Sequence, residues 1–422
     1  MHLKTLLNRL QKQPGFVYEK VEFREGERSW RGVPVIQAHL RPHKRSRPIC
    51  SGCLRKRRVR DHLPERHFQF VPLWAIAVYF VYTPRRCDCP RCGIKVERMP
   101  WAEGKSPMTT TFAWFLASWA KSLSWKETAE RFRVSWQSVF HAVSMAVKWG
   151  LANRNLDGIR SIGVDEFAWK KGHKYLIFVY QVDHTCKRLL WIGRNRTKDS
   201  FEKFFAWLGE PRSQALTFVT SDMWRAFARV IATRATKAVH VLDRFHIAKL
   251  ASEAVDKVRR DEARSLRAKG KEQILKKTRW ILLKNKSNLS GPQRGRLRRL
   301  VQANVRSVRA YLLKEELRRF WDYASWAWAA KFLDGWCTMA MRSKLDPMKK
   351  LAKTLRSHRQ LLLNWIAAKN LFAMGATEGF NNKARTVLKR AYGFRTYKHA
   401  EIALFHAMGK LPEPDWLTHK FW

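Results

Sequence analysis

The chain has 422 residues, enough for two to four domains at roughly 100–200 residues each. Hydrophobic residues make up 45% of it, so it has material for a packed core and is not dominated by disorder. Lys and Arg number 84 against 34 Asp and Glu, a formal net charge of +50; that excess goes far beyond solubility and points to a polyanionic partner, with nucleic acid the default.

The start, MHLKTLLNRLQKQPG, has no apolar h-region and no small-residue cleavage site. No stretch reaches 18 uncharged apolar residues. The expectation is a cytoplasmic protein with no membrane partner. Trp is abundant, with 20 residues; among basic residues such rings suit base stacking, while buried ones are simply core. Five of the seven cysteines fall between Cys50 and Cys92. In a reducing compartment that clustering points to metal binding rather than to disulfides.

Residues 1–45 are basic with little periodicity and are expected to be irregular. A zinc-binding ribbon is expected over residues 46–103. Cys50-x-x-Cys53 and Cys89-x-x-Cys92 can each place two thiolates at one corner of a tetrahedral structural zinc site. Gly52 and Gly93 suit the tight knuckle turns. Cys87 leaves a second spacing open, although the compact CPRCG favours Cys89, and a cluster of free buried thiols is the alternative to a metal. Between the two pairs, the apolar run Phe68–Thr83 reads as paired strands.

Three helical patterns run from Thr109 to Trp149, within an expected domain at residues 104–155. Ser124 and Glu127 form a capping box for the second, and Ser135 caps the third. The short turn at Arg133 and Val134 and the small Ala129 give helix-turn-helix spacing. Trp136, Gln137, Ser138 and His141 on the third helix could then reach a DNA groove; many αα-hairpins of this length bind nothing.

From Ile159 the periodicity becomes that of strands. Three consecutive strands, a helix, a strand ending at Asp222, a helix and a short strand ending at Asp243 predict a mixed sheet with helices on its faces, over residues 156–246. Residues 247–366 read as helical throughout, basic early and Trp-rich later. Residues 367–422 hold a last helix, through TEGFNNKARTVLKRA, and a tail.

The carboxylates carry the chemistry. Asp165 lies inside the first strand of the sheet and Asp222 ends the fourth, each among apolar residues. An unpaired buried carboxylate is costly. If the two strands are neighbours, a cation between the acids resolves the cost, and oxygen-only ligation suits Mg²⁺. Glu378 is the candidate third ligand, completing a two-metal site for phosphodiester chemistry in which Mn²⁺ can substitute. The alternative is that both Asp residues merely cap loops or helices.

These residues resemble a known family, the DDE transposases of the bacterial insertion-sequence family ISL3. The resembling stretches are CSGC and CPRCG, FLASWAKSLSWKETAERF, GVDEFAWKKGHKYLIFVYQVD, SDMWRAF, LDRFHIAKLASEAVDKVRR and TEGFNNKARTVLKRAYGFRTY. The resemblance implies a multidomain α/β protein: a ribonuclease-H-like core with an all-helical insertion, preceded by the ribbon and the helix-turn-helix. It implies catalytic acids at Asp165, Asp222 and Glu378. It also implies supporting roles for Asp243 and His246, which otherwise form a helix cap. Asn381, Asn382, Lys383 and Arg390 would meet DNA near the scissile bond or form a solvated face, and Arg259 and Arg260 in the insertion would hold DNA.

The function expected is a nucleoid-associated transposase that binds the terminal inverted repeats of its element, cleaves DNA with two Mg²⁺ ions and joins the 3′-hydroxyls to target DNA. Pairing two ends implies at least a dimer. The alternatives are a domesticated, non-catalytic DNA-binding protein on the same scaffold and a stand-alone nuclease.

Overall fold

A computed structural model describes residues 3–24, 34–170, 172, 174–368, 376–391 and 393–417. They fall into two compact units. The first draws on residues 1–154, 389–407 and 411–422, and the second on 155–388 and 408–410. No described helix is long and apolar enough to cross a membrane.

The first unit begins with α1 (Leu3–Leu10), β1 (Phe16–Arg24) and β2 (Val35–Pro42), followed by β3 (Arg58–His62), β4 (Arg66–Leu73), β5 (Ile76–Tyr82), β6 (Arg85–Cys89) and β7 (Gly93–Val96). Two sheets result, one in the order β1-β2-β5-β4 and one in the order β3-β6-β7. This corrects two expectations. Residues 16–24 and 35–42 are regular strands, and their Phe16, Tyr18, Ile36, Ala38 and Leu40 share a core with Phe68, Phe70, Val78 and Phe80. The hairpin β4–β5 belongs to that four-stranded sheet and not to the ribbon between the cysteine pairs. The physical reason is the parallel pairing of β2 with β5, from Val35↔Ala77 to His39↔Val81; it joins segments about 40 residues apart and leaves no local trace.

A buried ion pair in the three-stranded sheet receives Tyr82 of β5 from the four-stranded one. Arg85 Nη2 lies 2.6 Å from Glu97 Oε2. Tyr82 and the Arg85 amide also donate to Glu97, at 2.5 and 2.8 Å, and Arg85 Nη1 donates to the Ser46 carbonyl at 2.7 Å. With these partners supplied, the two buried charges are tolerated.

Three helices follow, α2 (Thr110–Ser122), α3 (Trp125–Arg131) and α4 (Trp136–Asn153). Their N-caps are Thr109, Ser124 with Glu127 as a full capping box, and Ser135, so the signals read at Ser124 and Ser135 are the ones used. Arg133, at φ +52°, turns the chain between α3 and α4. Ala129 and Val139 are buried where the helices pack.

The second unit is built on β8 (Ser161–Lys170), β9 (Lys174–Val182), β10 (Lys187–Arg194), α5 (Lys198–Leu208), α6 (Glu210–Gln214), β11 (Phe218–Ser221), α7 (Arg225–Arg234) and β12 (Val239–Leu242). The sheet order is β10-β9-β8-β11-β12. The first three strands are antiparallel, and β11 runs parallel to both β8 and β12. The first strand of the unit therefore does lie beside the fourth. Alternation along the strands sends Ile162, Val164, Ile177 and Val179 to one face, where they pack against Phe201, Phe204 and Phe205 of α5 and Phe227 and Ile231 of α7.

Helices fill the long interval that follows: α8 (Arg244–Ala268), α9 (Arg279–Leu283), α10 (Gly291–Gln302), α11 (Arg306–Arg318), α12 (Trp326–Arg342), α13 (Asp346–Ser357) and α14 (Arg359–Ala368). α14 returns to the sheet edge, where Asn364 Nδ2 donates to the His240 carbonyl on β12 at 2.8 Å. Residues 369–375, which precede the Glu378 helix, lie outside the described residues. The chain resumes as α15 (Ala376–Arg390) and ends on α16 (Tyr397–Met408).

His240 is buried on β12 and 2.8 Å from the Ser221 hydroxyl, and burial pushes its pKa down from 6.5 to about 4. It is thus neutral in the fold but charged in the unfolded chain below pH 6.5, so the unfolded state binds the extra proton between pH 6.5 and about 4. Stability should be full above that window and fall through it by up to roughly 3 kcal/mol. Urea titrations at pH 7 and pH 4.5 should show the loss, and His240→Gln should shrink it.

Candidate active site and metal centre

The face of the sheet opposite α5 and α7 receives α15. On α15 the buried positions Thr377, Asn381 and Ala384 recur at helical spacing, so one stripe meets the strands. At Gly163 on β8 a side chain would strike the Thr377 methyl at 3.2 Å, and glycine there lets the helix approach. The Phe380 ring stacks on Tyr180 of β9 with centroids 4.5 Å apart. Asn381 then uses both ends of its amide: Nδ2 donates to Asp165 Oδ2, and Oδ1 accepts from the Tyr180 hydroxyl at 3.1 Å.

Asp165 is buried at 7% exposure. Burial pushes its pKa up to about 6, against the lowering pull of His246, the Glu166 amide and Asn381. Its ionised form is therefore held at a cost that a cation would offset.

Thr220 on β11 pairs with Gly163 on β8, and beyond that pair Asp165 continues β8 while Asp222 follows the end of β11 at Ser221. The Asp222 carboxylate, however, turns back on its own chain, where Oδ1 accepts from the Trp224 amide at 2.9 Å. Glu166 is the acid that senses Asp222. Burial, and after it the charge of Asp222, pushes Glu166 up to about 7, while its ion pair with Arg196 opposes the shift. The Arg196 guanidinium also lies 4.8 Å from the Trp224 ring centroid. The sequence reading passed over Glu166 and Arg196, although the adjacent acids in GVDEF were a visible signal for the first.

Asp243 takes the helix-cap role open to it, and His246 lies between that cap and Asp165. Asp243 is the N-cap of α8, with Oδ1 accepting from the Phe245 amide at 2.9 Å. Its other oxygen, Oδ2, lies 3.6 Å from His246 Nδ1, and His246 Nε2 lies 3.9 Å from Asp165 Oδ1. The two carboxylates, Asp243 first, raise the His246 pKa above 6.5. His246 thus lies between the cap of α8 and the floor of the site, in a field that favours its protonated form.

Glu378 stands in the first turn of α15, exposed. It follows Thr377 directly, so it falls about 100° off the buried stripe. Among the described residues, Asp165, Asp222 and Glu378 do not form a set whose ligand oxygens all lie within 4.8 Å of one another; Asp222 accepts from its own turn, and Glu378 is exposed.

The predicted DNA contacts divide. Gln137 and His141 are exposed and 3.1 Å apart, and Ser138 is half-buried beside the N-cap Ser135. Trp136 is 39% exposed, with its ring stacked on Phe140. Arg260 is exposed, whereas Arg259 is half-buried and 2.8 Å from Asp256. Asn382 and Lys383 are exposed. Arg390 donates to the Ser122 carbonyl at 3.0 Å and so closes the C-terminus of α2. Asn381 is a correction: it is buried and holds Asp165 instead of facing solvent.

The second centre is the cysteine cluster. One sulfur from each of Cys50, Cys53, Cys89 and Cys92 lies within 4.8 Å of the others. Gly52 permits this, since a Cβ there would sit 3.1 Å from Cys92 Sγ, and Gly93 turns at φ +69°. Burial raises the Cys89 pKa, but the amides of Arg91 and Cys92 and the Arg57 guanidinium outweigh it and bring the thiol to about 6. Cys87 is buried and donates to the Lys95 carbonyl at 3.3 Å. The four-sulfur set fits a soft-ligand metal such as zinc.

A family described as transposase, of the ISL3 type of DDE enzymes, matches residues 162–404. The chain belongs to the ISL3 family of DDE transposases. It is 28% identical over 399 residues to the transposase for insertion sequence element IS1001 of Bordetella parapertussis, covering 94% of this chain and 96% of the relative. It is 30% identical over 414 residues to the transposase for insertion sequence element IS1557 of Mycobacterium tuberculosis, covering 92% and 91%. An ISL3 DDE transposase is a DNA-cleaving and strand-transferring enzyme that uses divalent metal, and DNA is its partner. The matched span runs from β8 into α16 and includes Asp165, Glu166, Asp222, Asp243 and Glu378.

The Asn381 geometry makes a prediction. Asn381→Ala leaves two buried groups, the Asp165 carboxylate and the Tyr180 hydroxyl, short of a partner, and should cost about 1–3 kcal/mol of unfolding free energy. Asn382→Ala, one residue along and exposed, should stay within about 0.5 kcal/mol. Urea unfolding of the two variants side by side checks the contrast.

Proposed function

We propose that this transposase binds the terminal inverted repeats of its own insertion sequence and that Asp165, Asp222 and Glu378 hold Mg²⁺ for cleavage and strand transfer. The observation that carries the reading is Asp165, a carboxylate buried beside the end of β11 and raised to about 6 by burial. An oxygen-only donor set with one acid destabilised in this way fits a hard divalent cation. The strand order β10-β9-β8-β11-β12, with α15 across its open face, supports a ribonuclease-H-like core. A cation bound by these acids supplies charge neutralisation for a phosphodiester and lowers the pKa of an attacking hydroxyl. Asn381 orients Asp165, and His246, whose protonated form the two carboxylates favour, offsets the negative charge of the floor when it carries the proton. Turning Asp222 away from the Trp224 amide and Glu378 inward from the first turn of α15 would complete the set.

The capped helices α3 and α4 support a helix-turn-helix, with Gln137, Ser138 and His141 presented to the DNA major groove and Trp136 at its margin. The four-cysteine site supports a structural zinc ribbon in front of it. Arg260, Asn382 and Lys383 stand as phosphate contacts, and pairing two element ends calls for at least a dimer. A domesticated regulator gains nothing from burying Asp165 beside phosphates.

Two outcomes are expected. Elemental analysis should find about one zinc per chain, lost in Cys89→Ser and kept in Cys87→Ser; the reverse pattern would make Cys87 the ligand. Asp165→Asn, Asp222→Asn and Glu378→Gln should each lower cleavage of an end-containing duplex by roughly 10³-fold or more, several kcal/mol of lost metal-borne stabilisation. Gel shifts on the same duplex should be unchanged. Cleavage by Glu378→Gln at the parent rate would move the third ligand elsewhere.

A further inference from the structure

Trp74 is the most exposed large hydrophobic side chain among the described residues, at 84%. It stands at the tip of the β4–β5 hairpin, where Leu73 pairs with Ile76 and only Trp74 and Ala75 make the turn. Both carry positive φ, +48° and +64°. A two-residue turn of this kind favours Asn-Gly, because side chains resist the left-handed region. An indole followed by alanine is a poor choice for closing the hairpin and a costly one to leave in water. Below the tip the ladder shifts register between Phe70 and Leu73, at the segment holding Pro72, which has no amide hydrogen to donate.

The surroundings are basic. A cleft of about 370 Å³ under the tip is lined by Pro72, Ala75 and Tyr79 of the hairpin and by Arg131, Phe132 and Arg133 of the α3–α4 turn. Arg131 and Arg133 are exposed, and this turn leads directly into α4. The hairpin tip and the helical turn therefore flank one concave, cationic surface, and the chain as a whole carries +50.

We infer that the β4–β5 hairpin is a second DNA-binding element, in which Trp74 stacks as a wedge at a base step of the element end while Arg131 and Arg133 hold the flanking phosphates. The occupant is duplex DNA, because a large π-face beside paired guanidiniums matches an unstacked base step between phosphates. The inference rests on the proposed end binding and extends its footprint beyond α4. The strained turn gives Trp74 a fixed outward direction that an Asn-Gly turn would not need.

The test uses the full chain and a fluorescein-labelled duplex carrying the terminal repeat that flanks the gene, read by anisotropy across a salt series. Trp74→Ala should weaken binding about 5- to 100-fold, the loss of one stacked base. The slope of log affinity against log salt should not change, because no charge is removed. Arg131→Ala with Arg133→Ala should instead flatten that slope by about two. The decisive variant is Trp74→Asn with Ala75→Gly, which should melt at or above the parent temperature yet bind DNA as weakly as Trp74→Ala. If that double variant binds like the parent, the wedge is refuted. It is equally refuted if Trp74→Ala abolishes self-association in sedimentation while the affinity for the duplex is untouched, since the tip then docks a second copy. A parent protein that prefers the repeat no more than a scrambled duplex would instead sink the end-binding reading, and this inference with it.

Discussion

Placing a carboxylate on the floor of a sheet is the constraint around which the second unit is organised. Asp165 needs partners wherever water is excluded, and it finds them in the Glu166 amide, in Asn381 and, at 3.9 Å, in His246. Asn381 is more than 200 positions away in sequence. Its hydrogen bond makes the docking of α15 on β8 and β9 a condition for tolerating the buried charge. Thr377 against Gly163 and Phe380 against Tyr180 supply the apolar side of the same contact. The helix that carries Glu378 is thus located by residues on either side of Glu378, and not by Glu378 itself.

The helical segment between Asp243 and α15 has to leave the sheet and return to it without leaving polar groups stranded. It does so with charges used as caps. Glu262 on α8 accepts from the Arg306 and Ser307 amides at 2.6 and 2.7 Å, satisfying the start of α11. Lys314, 4% exposed, donates to the carbonyls of Leu283 and Lys284 at 3.0 and 3.1 Å, next to the C-terminus of α9. Asn364 closes the circuit on β12. Glu262 and Lys314 thus cap helices of this segment; burial still lowers the Lys314 pKa, as it raises those of Asp165 and Glu166.

Local signals were enough for much of the architecture. Caps at Ser124, Ser135 and Asp243 act within four residues of the helix they start, so their reading needs nothing beyond the chain itself. The CxxC spacing likewise names its four sulfurs, because a knuckle is a local turn. Strand signals located β8 to β12, with Asp165 inside the first and Asp222 just past the fourth, while the pairing of β8 with β11 brought those two strands side by side. These acids are legible because a carboxylate inside an apolar strand contradicts its surroundings.

Tertiary structure decided the rest, wherever a residue's partner is remote. The N-terminal 45 residues looked irregular because β1 and β2 gain their order from pairing with β5, a parallel ladder with no turn to announce it. Asn381 read as a polar surface residue beside Glu378; only the approach of α15 to the sheet reveals it as the holder of Asp165. The directions of Asp222 and Glu378 were equally hidden, since sequence gives a carboxylate's position on a strand or helix but not the hydrogen bonds competing for it. In this protein the amino-acid sequence by itself determined which groups carry charge and which are of metal-ligand type. The packing of helices on the sheet determined which of those groups are buried, paired and aimed, because dielectric and hydrogen-bond supply exist only once the chain has closed on itself.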